Sequence, residues 1–303
     1  MKSNHIKIAL DWTPNINHIG FFVAQAQGFY KEEGLEVAIE NPAADNYELT
    51  PAKKVELGLV DMALCPTESL LSYRTKASPF PLKAVAAILQ EDVSAIVVKR
   101  DSGMASPSSL DHKTYASYKA RYEDEIVKQM IRNDGGEGVL ELEYPDKLGI
   151  WDALIAGTYD ATWVFLNWEG VQVQERGDDF TYFKMADYKV PYSYSPVIVA
   201  DENKIVARKE AYQAFLKATA RGYLYCKEQP EDAVAILASL VPEKDKEIDL
   251  KKALQMSLKA FGTGDSWGRM DQGVITTFLE WLYDKGLETK PIDAKAIFTN
   301  ELL

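Results

Sequence analysis

Asp11-Trp12-Thr13-Pro14-Asn15-Ile16-Asn17-His18 brings a carboxylate, an indole, two amides and an imidazole into eight consecutive residues. An aromatic face stacks on a flat ring while carboxylate and amide groups pair with its polar edge, so this mixture suits recognition of a small polar heterocycle. The apolar run Ile6 to Leu10 before it reads as a strand, and Ile19 to Gln27 after it reads as a helix. The segment therefore falls at the carboxyl end of a strand, where open α/β sheets hold their ligands. The same residues also read as a plain helix start, with Thr13 as cap and Pro14 at the first helical position.

Comparable groups recur at later strand ends. Glu68 follows the strand Met62 to Leu64 through Cys65-Pro66-Thr67. In a binding role it accepts hydrogen bonds from an exocyclic amine and a protonated ring nitrogen, and leaving such an edge unsatisfied costs about 1 to 3 kcal/mol. In a structural role it answers the dipole of the helix it opens. Ser117-Tyr118-Lys119-Ala120-Arg121 follows a strand at Tyr115 and precedes a helix, a position that can hold an anion; Glu123, Asp124 and Glu125 can instead neutralise its cations locally. Trp163 and Phe165 alternate on one strand face, either as core or as a binding wall, and that strand runs into Asn167-Trp168-Glu169. Tyr192 and Tyr194 lie on a later aromatic stretch, and Trp267 in the turn Gly262 to Gly268.

A catalytic constellation does not emerge. There is no strand-turn-helix nucleophile elbow and no phosphate- or dinucleotide-binding glycine pattern. Cys65 and His18 are the one nucleophile and base that a cleft would have to bring together. His5, His18 and His112 are isolated and the two cysteines, Cys65 and Cys226, cannot form a disulfide framework, so neither a metal site nor a cofactor is expected.

The elements that must position these groups alternate between strand and helix, which favours an α/β fold with mostly parallel sheets. A chain of 303 residues has room for two domains. The polar stretch Arg100 to Asp111 reads as a crossing, and Tyr188 to Val199, with Pro191 and Pro196, as the return. Lobe 1 is then 1–99 with 197–303 and lobe 2 is 100–196, and the helical C-terminal part, including Gln272 to Lys285, should wrap lobe 1. A cleft between two lobes is the favoured place for a small ligand. The net charge of −12 opposes binding to nucleic acid or anionic lipid. No apolar run approaches the ~20 residues of a membrane helix, so no membrane insertion is expected. The N-terminus enters a strand without the apolar core of an export signal, which places the chain in the cytoplasm as written, or in the periplasm or outside the cell if a leader has been removed.

Leu10-Asp11-Trp12-Thr13-Pro14-Asn15, the Gly28 to Leu35 segment, Trp163 to Val171, Tyr194-Ser195-Pro196-Val197-Ile198 and Trp281-Leu282-Tyr283 resemble the family that holds bacterial thiamin-precursor-binding proteins and fungal thiamin-pyrimidine synthases. The resemblance implies a type II periplasmic-binding-protein fold, two α/β lobes with a hinge formed by two crossover segments, closing on a 4-amino-2-methylpyrimidine. It implies a pocket built from Asp11, Trp12, Glu68, Trp163, Asn167, Tyr192 and Tyr194; Asn17, His18, Ser117, Tyr118, Arg121 and Glu169 complete the candidate set by position. It also implies uptake or salvage with an ABC permease as partner. Where the fungal synthases carry a cofactor-bearing lysine and a sacrificial histidine, the segment Asp61 to Ser69 offers Cys65 and Ser69, and the iron-associated cysteine cluster is missing. A divergent synthase is thus the alternative, and a binder or sensor of a sulfonate or phosphorylated ligand, anchored by Lys119 and Arg121, is the second.

Overall fold

The computed structural model describes residues 4–177, 179–262 and 264–303, so Met1, Lys2 and Ser3 and, in the Gly262 to Gly268 turn, Thr263 lie outside the described residues. Its strands are β1 (His5–Ala9), β2 (Glu36–Glu40), β3 (Met62–Cys65), β4 (Leu82–Ala87), β5 (Ser94–Lys99), β6 (Lys113–Ala116), β7 (Leu140–Glu143), β8 (Ala161–Phe165), β9 (Phe180–Phe183) and β10 (Val197–Asp201). They form two five-stranded sheets, ordered β2-β1-β3-β10-β4 and β7-β6-β8-β5-β9. In the first, β1 is parallel to β2 and β3, and β10 runs antiparallel between β3 and β4. In the second, β6 is parallel to β7 and β8, and β5 runs antiparallel between β8 and β9. The expected alternation of strands and helices is present in both.

The chain divides into one unit of Met1–Asp92, Tyr194–Ile275 and Asp293–Leu303 and a second of Val93–Ser193 and Thr276–Ile292. A lobe boundary at residue 99 would leave β5 in the first unit, yet both of its sheet partners are in the second. Its run Ser-Ala-Ile-Val-Val is buried throughout, as a central strand covered on both faces requires. The C-terminal helix Gln272–Asp284 also departs from the expectation that it wraps the first lobe. From Thr276 onward it belongs to the second unit, where Phe278 meets Tyr192 edge-on with ring centroids 5.7 Å apart. The helix Glu169–Arg176 and the four-residue edge strand β9 have no counterpart among the elements expected from the sequence.

In the first unit, helix Ile19–Ala26 packs on helix Lys209–Glu228 through two glycines. A Cβ on Gly222 would stand 2.0 Å from the Gly20 carbonyl oxygen, and one on Gly20 would stand 2.2 Å from the Tyr223 ring. Only hydrogen fits at either position. Beside this contact Tyr30 stacks on Phe215 with ring centroids 5.4 Å apart and donates to or accepts from the Thr219 hydroxyl at 2.9 Å, so the buried phenol keeps a partner.

In the second unit the feature that ties sheet to helix is a buried carboxylate. Glu123 opens helix Glu123–Asn133 and is 2% exposed. Its Oε1 accepts from the Tyr115 hydroxyl at 2.8 Å and from the Tyr118 N–H at 3.0 Å, and its Oε2 accepts from the Ala120 N–H at 3.2 Å. Burial pushes this carboxyl up to about 7 although its three donors hold it down, and the neighbouring Asp124 charge adds to the rise. Burial likewise lowers the Lys147 ammonium, against the pull of Glu123.

Gly222→Ala should lower the unfolding free energy by about 3 kcal/mol, since the added methyl meets backbone rather than a side chain that can turn aside. Urea denaturation measures it, and a variant as stable as the parent would mean that the two helices can separate at little cost. Glu123 gives a second expectation. A carboxyl whose folded value stands above its unfolded one keeps its proton longer in the native state, so stability falls as pH rises between about 4.5 and about 7 and is level above that window. Glu123→Gln should remove ~3 kcal/mol of that fall, taking ~1.4 kcal/mol for each pH unit of difference. Denaturation curves of parent and variant across the window test it, and parallel pH dependences would refute it.

Candidate functional site

Past β1 the Leu10 N–H still pairs with the Glu40 carbonyl at 2.9 Å, and the chain then bends through Asp11 to Pro14. Asn15, rather than Thr13, caps the short helical turn Ile16–His18. Its Oδ1 accepts from the Asn17 N–H at 2.9 Å, and the His18 Nδ1 accepts from the Asn15 N–H at 3.3 Å, a reciprocal capping box closed by an imidazole. That bond leaves the ring proton on Nε2, which donates to Asp11 Oδ1 at 2.8 Å. His18 is fully buried with both nitrogens engaged. Its imidazole thereby holds the Asp11 carboxylate in place. Asn17 is buried too, and its carbonyl receives the Tyr223 hydroxyl at 2.5 Å. Thr13 is buried with no hydrogen-bond partner for its hydroxyl among the described residues.

Trp12 is half-buried and its ring lies 5.8 Å from that of Tyr47, tilted by 53°. Tyr47 follows the turn Pro42–Asp45, and both Asn46 (φ 48°) and Tyr47 (φ 61°) adopt the left-handed conformation. Non-glycine residues seldom occupy that region, although asparagine does so more readily than most. Glu68 is 3% exposed in the first turn of helix Thr67–Thr75, directly after β3. Thr67 ties this junction to the Tyr194 carbonyl, which accepts its N–H at 3.3 Å and its hydroxyl at 2.6 Å, while the Tyr194 hydroxyl accepts the Asp271 N–H at 2.9 Å. Tyr194 is thus a brace within the first unit.

Burial first, and then the charges of Asp11 and Glu68, push the Cys65 thiol well above its ordinary range; burial and Asp11 do the same to the Tyr47 phenol. Asp11, Tyr47, Cys65 and Glu68 consequently form one electrostatic neighbourhood at the carboxyl ends of the adjacent parallel strands β1 and β3. A thiol so disfavoured as thiolate is a poor nucleophile, and His18 is already committed to Asp11, so the Cys65–His18 pairing finds no support.

The second unit repeats the arrangement at β6 and β8, which are also adjacent and parallel. After β6, the Ser117 hydroxyl accepts the Lys119 N–H at 2.9 Å, and Lys119 is left-handed at φ 61° with its ammonium 5.3 Å from the centre of the Tyr144 ring. Arg121 reaches past the acidic run that follows it to a carboxylate far along the chain. Its Nη2 lies 2.7 Å from Glu288 Oε1, and the Tyr122 hydroxyl donates to the same oxygen. After β8, Asn167 is buried, and Glu169 Oε2 accepts the Phe165 N–H at 3.0 Å, closing the turn into the next helix. Trp163 is only half-buried and its ring centre lies 5.0 Å from that of Tyr192, so it is not absorbed into the core. Tyr192 belongs to this unit and Tyr194 to the other. Among the described residues no three His, Cys, Asp or Glu side chains are grouped as a metal site would need. Tyr47 and Glu288 were invisible to sequence reasoning; each meets its partner only through the fold.

The NMT1/THI5-like family model matches residues 15–233. A formylaminopyrimidine-binding protein of Halalkalibacterium halodurans is 25% identical over 97% of this chain and 89% of its own length. A 4-amino-5-hydroxymethyl-2-methylpyrimidine phosphate synthase of Legionella pneumophila is 24% identical over 79% of this chain and 75% of its own. The alkanesulfonate-binding protein SsuA of Xanthomonas axonopodis superposes with a TM-score of 0.73 over 99% of this chain and all of its own, at 13% identity, so it shares the fold. Periplasmic binding proteins of this kind have the two α/β units seen here. Because the matched stretch runs from the turn after β1 through the whole of β5 to β10, the chain belongs to the NMT1/THI5-like family.

Proposed function

We propose that this protein is a solute-binding protein that captures a thiamin-precursor aminopyrimidine, a compound of the formylaminopyrimidine kind, for uptake or salvage. The observation that carries the reading is the grouping in the first unit of a half-buried Trp12–Tyr47 ring pair with two carboxylates, Asp11 and Glu68. A pyrimidine has an apolar face and an edge of amine and ring nitrogens, and these side chains match both. Trp12 stacks on the ring, Glu68 accepts from the amine edge, and His18 keeps Asp11 oriented. The second unit offers its own ring pair, Trp163–Tyr192, together with the Asn167 amide and the Ser117 hydroxyl. Similarity to the formylaminopyrimidine-binding protein over nearly the whole chain supports the same class of ligand. Binding without turnover fits a loop whose one thiol is held protonated. Handing the ligand to an ABC permease completes the proposal.

Isothermal titration with hydroxymethyl- and formylaminomethyl-pyrimidine should give binding that Trp12→Ala and Glu68→Gln each weaken by about tenfold or more, equivalent to about 1.4 kcal/mol. Absence of heat from both compounds at protein concentrations well above micromolar would remove the proposal. Retained affinity in both variants would remove the residue assignments.

A further inference from the structure

The Ser117–Arg121 loop carries the donors from which anion sites are made: the Tyr118 and Ala120 amides before an eleven-residue helix, and the Arg121 guanidinium. Each is directed at a carboxylate of the chain itself. Glu123 receives both amides as well as the Tyr115 hydroxyl, and Glu288 receives Arg121 as well as the Tyr122 hydroxyl. Both carboxylates are buried, at 2% and 7% exposure, and Asp124, joined to Tyr144 by a 2.8 Å hydrogen bond, adds a third negative charge beside them. Lys119 is the remaining cation of the loop, and its ammonium lies over the Tyr144 ring.

We propose that Glu123 and Glu288 are specificity-determining residues: two internal anions that occupy the amides and the guanidinium of this loop, so that it accepts an uncharged ligand and turns away the phosphate or sulfonate counterpart. This rests on the function proposed above, in which Ser117 of the same loop borders the ligand. An incoming phosphate would have to displace a carboxylate that is already hydrogen-bonded, leaving that carboxylate buried without its donor. It would also meet like charge from Glu123 and Glu288, with Arg121 already paired to Glu288. Proteins of the same fold include one bound to a sulfonate buffer, so the fold itself does not forbid an anion; the side chains of this loop do.

The test is titration at pH 8, where Glu123 is ionised, of hydroxymethyl-pyrimidine, its phosphate ester and inorganic phosphate. The parent should prefer the alcohol to the ester by about tenfold or more, and Glu288→Gln, which releases Arg121, should narrow that ratio by about tenfold. A parent that binds the ester as well as the alcohol, or a variant that shifts both alike, overturns the proposal. If neither pyrimidine binds, the function proposed above is what fails, and inorganic phosphate decides this point alone: tighter binding by the variant than by the parent upholds it, and equal binding overturns it. Should Glu288→Gln fail to fold by circular dichroism, Glu123→Gln takes its place with the same expected ratio and the same refutation.

Discussion

One imidazole fixes the turn on which the first unit depends. By accepting the Asn15 N–H and donating to Asp11, His18 closes the Asp11–His18 segment on itself with both ring nitrogens used. The direction of helix Ile19–Ala26 follows from that closure, because the helix begins at the very next residue. The Tyr223 hydroxyl then reaches the Asn17 carbonyl from helix Lys209–Glu228, and the Gly20–Gly222 contact lets the two helices come close enough for it to do so. With both nitrogens engaged, the ring thus sets a carboxylate, an indole and a helix axis together.

Both units use one plan. In each, the loops after two adjacent parallel strands bring polar side chains together: Asp11 and Glu68 after β1 and β3, Ser117 and Asn167 after β6 and β8. The plan follows from sheet geometry, since parallel neighbours end on the same side and their loops meet there. The chemistry differs between the units. The first gathers acidic groups around an aromatic pair, whereas the second satisfies its cation and its helix-opening amides with its own carboxylates.

The positions of these loops were legible because they depend on local signals: apolar runs of strand length, a following polar cluster, and prolines or glycines at the breaks. Asp11, Trp12, Glu68, Trp163 and Asn167 could be singled out from such signals. Their partners could not. Tyr47 reaches Trp12 where two left-handed residues turn the chain, and although Asn46 tolerates that conformation, Tyr47 does not announce it. Arg121 looked available because its pairing with Glu288 depends on a C-terminal segment that belongs to the second unit. The placement of β5 was missed for a related reason: its apolar run shows a buried strand, and only the sheet shows which strands it lies between. Periodicity reports burial and leaves neighbours unspecified.

The two cysteines lead to a different kind of conclusion. Cys65 sits within β3 and Cys226 within helix Lys209–Glu228, both sheltered from solvent and neither joined to another sulfur. Burial raises both thiols, so in the native protein the reactive thiolate is scarce at each. An alkylating or oxidising reagent therefore gains access only when the strand or the helix opens, and the rate of modification becomes a clock for local unfolding at two separate places in the same unit. The native fold accordingly draws on no disulfide, whether its surroundings are reducing or oxidising.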